Sequence, residues 1–234
     1  MKNQRRSLVV LFLASLPFVT KGIVLWIGIT GYAAQSLYKI LQLCIPVLWR
    51  RKMLHARGWN TLWPIDEMWP CREVILLAIS IALVFSVSAI GAMKILAPFF
   101  SVDPALIRAG MDARFSVTPL GALCVVLFLS CINSAIEELH FRAWLDREIS
   151  RAWGTTFGVS ISALAFGGMH VLIFWGLPGF TLPILLLIAL GLAIAGAAWS
   201  MLMRLPGGIH AAFLSHALSD ALVLGWGLLW LGYF

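Results

Sequence analysis

The stretch "SAIEELHFRAWL", residues 134–145, places two adjacent glutamates, a histidine and an arginine within an otherwise apolar part of the chain. The residues that lead into it, from Pro119 onward, are apolar enough to begin a helix that spans a membrane. An ionisable side chain inside a bilayer is costly, and such residues are generally kept because they have a function. The stretch therefore predicts a membrane helix that carries a functional site.

The composition of the whole chain predicts the same class of protein. Of its 234 residues, 61% are hydrophobic and only 12% are charged, whereas a soluble domain carries about 25% charged residues. We therefore predict an all-α, polytopic membrane helix bundle that forms a single domain over residues 1–234. The net charge of +7 is spread along the chain without a basic tract interleaved with aromatic residues, which argues against nucleic acid as a partner.

Seven segments approach the roughly 20 apolar residues that a membrane-spanning helix needs. They are Leu8–Ile29, Tyr32–Trp49, Val74–Phe99, Pro119–Arg142, Thr155–Trp175, Thr181–Met203 and Ile209–Leu231. The second is the most polar, because Gln35, Lys39 and Gln42 interrupt it. A bent or interfacial helix there would reduce the count to six. The motifs described below lie on the last four segments.

Clusters of basic residues flank these segments on one side, whereas the other connections are charge-balanced or uncharged, and this asymmetry sets the orientation of a membrane protein. They are Lys2, Arg5, Arg6, Arg50, Arg51, Lys52, Arg57, Arg142, Arg147, Arg151 and Arg204. We therefore expect a cytoplasmic N-terminus and an external C-terminus. Residues 1–117 would hold N-terminal helices and a polar segment on the cytoplasmic interface, residues 49–70, and residues 118–234 would form the core. The interfacial segment carries four tryptophans, Trp49, Trp59, Trp63 and Trp69.

Polar side chains recur at a spacing of four residues on three of the last four segments. The pairs are Glu138 with Arg142, Phe166 with His170, and His216 with Asp220. Residues four apart share one face of a helix, and groups that would be unfavourable against lipid become tolerable when they face one another. The small residues Gly167 and Gly168 would let another helix, or a substrate backbone, approach closely.

Other polar residues have simpler explanations. Lys21, Lys39 and Lys94 can extend along their segments toward an interface and keep their charge in water. His140 does not share the face of Glu138 and could lie near the lipid headgroups. His210 is expected at a helix start near the interface.

The three motifs in this order are those of a known family. "EELHFR" matches EExxxR, "FGGMH" matches FxxxH, and "HALSD" matches HxxxN/D. Over Pro119–Leu224 the chain resembles the CPBP family of CAAX prenyl proteases and bacteriocin-processing enzymes, also called Abi proteins. The resemblance implies an all-helical membrane bundle and a glutamate-dependent intramembrane endopeptidase. Asp220 stands where many members carry Asn.

The resemblance also implies catalytic roles for four residues. Glu137 would be the general base that activates a water molecule, and His170 would hold the same water. His216 and Asp220 would face the scissile carbonyl as the oxyanion-stabilising pair. An ionised Asp220 would orient His216, whereas a protonated Asp220 could donate directly. Supporting roles fall to Phe166 and to the pair of Glu138 and Arg142.

Metal chemistry is the alternative for the same residues. Glu137, His170 and His216 could ligate zinc with a water in the open position, but the sequence has no HExxH motif. The Glu-x-x-His of a di-iron bundle occurs once at this position, and that site needs two copies. The resemblance implies a metal-independent site without a cofactor.

Three functions remain open on these residues. The first is an endopeptidase that cuts a peptide or protein near a hydrophobic or lipidated segment, in a bacterial cytoplasmic membrane whose lipids surround it. The second is a non-catalytic immunity or scaffold protein on the same fold. The third is a small transporter with a proton relay, against which stands the clustering of the polar groups late in the chain.

The predicted boundaries leave one conflict. Glu137 lies near the cytoplasmic end of its segment, whereas His170 lies toward the outer end of the next one. The mismatch in depth is on the order of 15 Å. The two residues can meet if the boundaries shift. The fourth segment would then run deeper and carry Arg142 into the protein, and the fifth would enter the membrane later, after Gly158.

Overall fold

In a computed structural model, the chain is described over residues 2–27, 31–53, 55, 69–115 and 118–234. Its regular structure there is entirely helical. The helices are α1 (Lys2–Trp26), α2 (Gly31–Met53), α3 (Arg72–Phe99), α4 (Pro104–Phe115), α5 (Pro119–Trp153), α6 (Thr155–Phe174), α7 (Leu182–Leu202) and α8 (Gly208–Trp230).

Six of the described helices are long and apolar enough to cross a membrane. They are α3, α5, α6, α7, α8 and the Leu8–Trp26 part of α1. Their outward faces carry large apolar side chains, as a lipid-facing surface requires (Phe12, Val84, Leu127, Leu164 and Leu190 among them). The predicted all-α, multi-pass membrane protein is confirmed.

The helix α2 does not qualify by composition, yet it packs against α1 along much of its length. Arg6 lies over the ring of Trp49 and Lys21 lies over the ring of Tyr38, so the two helices run antiparallel. With 23 residues, α2 is about 34 Å long. This length is enough to cross the roughly 30 Å apolar core of a bilayer, but α2 is not among the six helices that qualify by composition, so a seventh span stays a prediction.

One of the polar residues of this segment, Gln42, lies on the face that α2 buries. Tyr38, Gln42, Ile45 and Trp49, spaced by four, three and four residues, are all buried. This is the spacing of one helix face. Gln42 therefore faces protein, and a mean hydropathy that assumes lipid on every side undervalues the helix.

The helix α5 is longer than predicted and resolves the conflict in depth. It continues eleven residues beyond Arg142 and ends at Trp153. Gly154, with a φ of 93°, then makes the turn into α6, in a backbone conformation that side chains with a Cβ rarely adopt. Glu137 lies 17 residues before Gly154 and His170 lies 16 residues after it, which brings both to the same depth, roughly 25 Å from the turn.

Ion pairs gather at the end of the bundle where α1 begins. Arg6 and Arg151 both contact the buried Glu148, with nitrogen–oxygen distances of 2.8 and 2.6 Å. Arg204, in the turn between α7 and α8, pairs with Asp146 at 2.7 Å. Three groups of basic residues that the sequence predicted on one side thus lie together. Which side is cytoplasmic stays a prediction.

The opposite end joins α4 to the C-terminal residues. The Tyr233 hydroxyl donates a hydrogen bond to Asp112 over 2.6 Å. Arg108 lies over the Tyr233 ring and donates to the backbone oxygen of Gly232. The C-terminus and the α3–α5 connection therefore share this end.

The predicted interfacial segment can be followed only in part, since residues 54 and 56–68 lie outside the described residues. Trp69 is exposed and its ring stacks on that of His210, with the ring centres 4.7 Å apart. Its position agrees with the expected interface at the start of α8. The prediction is wrong for Trp49, which belongs to α2 and is buried against Trp144.

Candidate active site

The backbone of α5 departs from a regular α-helix around the glutamates. Leu129–Asn133 and Glu138–Asp146 are π-helical, with the four α-helical residues Ser134–Glu137 between them. A π-turn closes its hydrogen bond from residue i to i+5 and thereby changes which residues share a face. Every residue of Glu138–Asp146 is buried, so this segment faces protein on all sides.

Glu137 lies at the junction of the two helical forms and is 1% exposed. Its Oε1 accepts a hydrogen bond from the Lys39 ammonium of α2. Its Oε2 has no hydrogen-bond donor and lies 3.6 Å from Nε2 of His216. The two oxygens of this carboxylate therefore have different surroundings.

Glu138 is fully buried and serves two partners. Its Oε1 lies 2.8 Å from Nδ1 of His216 and 3.4 Å from Nη1 of Arg142. The predicted pair with Arg142 is present. The contact with His216 was not predicted, because helix spacing relates residues of one helix and carries no information about a histidine on α8.

His216 is the point at which the motifs of α5 and α8 meet. Its Nδ1 faces Glu138, and its Nε2 lies 3.6 Å from Asp220 Oδ2 on the same face of α8. The Asp220 carboxylate lies 2.9 Å from the Ser134 hydroxyl of α5. With a side chain 26% exposed, Asp220 is the more accessible member of the pair.

His170 approaches from α6. Its Nδ1 lies 2.8 Å from the backbone oxygen of Phe166, one helical turn earlier. Since a carbonyl oxygen only accepts, Nδ1 carries the proton in this contact and Nε2 is left with its lone pair when the ring is neutral. His170 is close enough to Glu137 to interact with it electrostatically, as are His216 and Lys39.

Two aromatic rings frame the charged groups. The Phe166 ring meets His216 edge-on at 5.4 Å, and the Trp199 ring of α7 stacks on His216 with ring centres 4.0 Å apart. The same two rings face Arg142, whose guanidinium carbon lies 4.4 Å from Phe166 and 5.2 Å from Trp199. The aromatic faces therefore support a buried cation whose nitrogens make no hydrogen bond.

Trp199 is not predicted from the sequence as part of the site, although its position within an apolar segment indicates a protein partner. Tryptophans of membrane proteins concentrate at the two interfaces, whereas Trp199 is fully buried close to small residues of α7. Its Nε1 donates to the Ser215 hydroxyl over 3.1 Å. A tryptophan inside a segment rich in Gly and Ala therefore indicated a partner in the protein.

Glycines let α6 and α7 approach each other and the site. A Cβ on Gly167 would lie 2.2 Å from the backbone oxygen of Ala189, and one on Gly196 would lie 2.9 Å from Nη2 of Arg142. Gly168 has open space around it. The expected close approach is therefore confirmed for Gly167, with a helix as the neighbour.

The prediction that three lysine side chains extend along their helices toward an interface is wrong for two of them. Lys21 is buried beside the Tyr38 ring, and Lys39 contacts Glu137. Lys94 is exposed on α3, as expected. The predicted headgroup position of His140 is also wrong, since it is fully buried and its Nδ1 lies 3.1 Å from the backbone oxygen of Gln42.

A metal site needs several His, Cys, Asp or Glu side chains whose donor atoms converge on one point. Among the described residues, no group of three or more His, Cys, Asp or Glu side chains is arranged to hold a metal ion. Glu137, His170 and His216 are neighbours, but their donor atoms do not converge on one point in this arrangement. The groups that the structure does assemble are a carboxylate oxygen beside an imidazole nitrogen, which suit proton transfer.

The three motifs thus occupy one buried site. Glu137 and Glu138 come from α5, Phe166 and His170 from α6, and His216 with Asp220 from α8. A carboxylate with one unpaired oxygen, next to an imidazole held by a second carboxylate, can accept a proton from water and stabilise a negative charge nearby.

The part of the chain that carries the three motifs is similar to a known family. The model of a family described as type II CAAX prenyl endopeptidase Rce1-like matches residues 119–222. The resemblance predicted from the motifs is confirmed, and the match supports a CAAX-type intramembrane protease that acts on a peptide or protein. No curated protein and no solved structure matches the chain.

Proposed function

We propose that this protein is an intramembrane endopeptidase in which Glu137 activates the water that cleaves the peptide bond. The observation that carries the proposal is the distance of 3.6 Å between Glu137 Oε2 and His216 Nε2, with both residues buried. A general base and an oxyanion stabiliser must lie near one reacting atom, and the short distance between these two atoms, on different helices, supports that assignment.

The chemistry follows from the two atoms. Glu137 Oε2 removes a proton from the water as the water oxygen bonds to the scissile carbonyl carbon. The carbonyl oxygen becomes an oxyanion and accepts a hydrogen bond from the protonated Nε2 of His216. The tetrahedral intermediate then collapses, the carbon–nitrogen bond breaks, and Glu137 passes its proton to the leaving amine.

Glu138 supports His216 in this scheme. Its contact of 2.8 Å with Nδ1 fixes the orientation of the ring and stabilises the imidazolium form. A buried carboxylate has the same relation to the histidine of a serine-protease triad. The guanidinium of Arg142 lies 3.4 Å from the same oxygen of Glu138.

His170 and Asp220 complete the proposed machinery. With its Nδ1 proton donated to Phe166, His170 presents Nε2 as an acceptor for the water that Glu137 activates. Asp220 faces the same Nε2 of His216 that the oxyanion would use. It therefore either orients that nitrogen as a carboxylate or donates to the oxyanion as an acid, as inferred from the sequence.

The position of the site supports a substrate class. Glu137 lies near the middle of the 35-residue helix α5, and a substrate must bring its scissile bond to this depth. A peptide or protein with a hydrophobic or lipidated segment next to the cleaved bond can do so, because the bilayer stabilises that segment. We place the enzyme in a bacterial cytoplasmic membrane with its N-terminus cytoplasmic, on the distribution of basic residues.

The test is the variant Glu137→Gln, which keeps the size of the side chain and removes the base. Proteomics of protein termini in cells with wild-type and variant protein should show termini that are lost with Glu137→Gln, and these name the substrate. Glu73→Gln, an exposed glutamate on α3, is the matched control and should retain the termini. An equally well expressed Glu137→Gln protein that still produces them contradicts the proposal.

Two further experiments test the alternatives for these residues: a purified reaction tests the metal site, and a variant in cells tests the non-catalytic scaffold. Cleavage that continues in a metal chelator supports the metal-independent mechanism, whereas cleavage restored only by added zinc contradicts it. If cells with a Glu137, His170 and His216 triple alanine variant keep every phenotype of the wild type, the non-catalytic scaffold replaces the enzyme.

A further inference from the structure

The closest contact of the proposed base comes from outside the three motifs. Lys39 lies on α2, 98 residues before Glu137 and outside the segment 119–222 that matches the family. Its ammonium donates to Oε1 of Glu137. The lysine side chain is 15% exposed and that of the glutamate 2%, so the pair is nearly shielded from water.

The other cations near Glu137 have carboxylates of their own. Arg142 and Nδ1 of His216 both face Glu138. Asp220 adds a third carboxyl group on the far side of His216. Three carboxyl groups in one buried site repel one another when ionised, and Lys39 supplies the positive charge that compensates Glu137.

The geometry also divides the two oxygens of Glu137. Oε1 is held by Lys39, whereas Oε2 has no hydrogen-bond donor and faces His216. A carboxylate held at one oxygen cannot rotate freely about its last bond, so the other oxygen keeps one direction. That direction points Oε2 toward the nitrogen that we assign to the oxyanion.

The helix α2 in turn fixes Lys39. The Tyr38 ring lies between two ammonium groups, 5.1 Å from that of Lys39 and 5.2 Å from that of Lys21. One turn further on, the backbone oxygen of Gln42 contacts His140 of α5 over 3.1 Å. The lysine is therefore placed by a packed helix, not by a mobile connection.

We propose that Lys39 is a positioning residue of the protease, which holds Oε1 of Glu137 so that Oε2 is directed to the reacting water. The inference rests on the proposed function. Lys39 keeps its own proton throughout, since the proton from water moves to Oε2 and then to the leaving amine. The N-terminal helices thereby become part of the catalytic apparatus.

Three substitutions test this role in the full-length protein. Lys39→Met removes the charge at similar length, Lys39→Arg keeps a cation, and Lys94→Met makes the same change at an exposed lysine of α3. We expect Lys39→Met to lower kcat at least about tenfold with little change in KM, because substrate binding is not affected. Lys39→Arg should recover most of the kcat, and Lys94→Met should match the wild type.

A double substitution keeps the inference testable if Lys39→Met is poorly folded. Lys39→Met leaves the buried charge of Glu137 without compensation and should lower the apparent Tm. Lys39→Met combined with Glu137→Gln removes both charges of the pair and should restore the apparent Tm. A double variant no more stable than Lys39→Met contradicts the pairing.

The failures of the two proposals are distinguishable. Cleavage by Glu137→Gln protein overturns the proposed function. An inactive Glu137→Gln protein together with wild-type kcat in Lys39→Met leaves that function intact and overturns the role of Lys39. A loss of kcat in Lys39→Met that Lys39→Arg does not recover also overturns it.

Discussion

Nδ1 of His216 lies 2.8 Å from Oε1 of Glu138, across the interface between α8 and α5. The same carboxylate oxygen lies 3.4 Å from the guanidinium of Arg142. One buried carboxylate oxygen therefore contacts side chains of two helices. In the proposed mechanism, Glu138 orients His216 and Glu137 acts as the base.

Replacement of Glu138 by glutamine should affect both activity and stability. The amide cannot compensate Arg142 or stabilise a charged His216, so we expect kcat to fall at least about tenfold. Breaking a buried ion pair on one side costs about 3–5 kcal/mol, which should appear as a lower apparent Tm in detergent. Glu73→Gln is the matched exposed control. Wild-type kcat and Tm in Glu138→Gln would show that the contact has no importance.

The adjacent glycines of α6 offer a test of helix packing. Gly167→Ala would place a Cβ 2.2 Å from the backbone oxygen of Ala189, whereas Gly168→Ala meets nothing within 4 Å. We expect Gly167→Ala to cost about 1–3 kcal/mol as α7 is pushed away. Gly168→Ala should be neutral or slightly stabilising. Equal apparent Tm values for the two variants would contradict the close packing of α6 on α7.

The ion pair between Asp146 and Arg204 should stabilise the protein more than the pair between Glu148 and Arg151 does. Asp146 is fully buried and accepts from both terminal nitrogens of Arg204, at 3.1 and 2.7 Å. Asp146→Ala should cost at least about 2 kcal/mol, because it leaves a partly buried guanidinium without its partner. Arg151→Ala removes a cation whose side chain is 56% exposed and should cost less than about 1 kcal/mol. The reverse order of apparent Tm values would count against this account.

Asparagine at position 220 should preserve the reaction. The amide has the shape of the carboxyl group, and it can accept from the Ser134 hydroxyl or donate to it. We expect Asp220→Asn to keep kcat within about tenfold of the wild type and Asp220→Leu to lose more, since leucine offers no polar group. Equal loss in both variants would instead assign the role to the charge of Asp220.

The sequence predicted the parts of the site that follow from a simple physical conflict. Glu137, His170 and His216 are unfavourable in lipid, so they had to face one another, and their spacing identified the helices that carry them. The expectation that the segment of Glu137 runs deeper and carries Arg142 into the protein had the same origin. The common depth of Glu137 and His170 follows from their nearly equal distances from Gly154 along the chain.

The remainder depended on contacts between distant segments. Arg142, Arg147 and Arg151 made the end of α5 resemble an interface, although Arg142 is fully buried. Lys39 was assigned to an interface because a lysine in one sequence gives no sign of a partner 98 residues away. The π-helical turns of α5 have no signature in residue type or period.

The buried polar face of α2 has a consequence for how the protein is made. An unpaired lysine near the centre of a helix raises the cost of its insertion by about 3 kcal/mol, and the carboxylate that compensates Lys39 belongs to a helix synthesised 98 residues later. We therefore expect α2 to enter the bilayer poorly by itself and to settle only when α5 has emerged. The contact that positions Glu137 would then also be the contact that completes biogenesis.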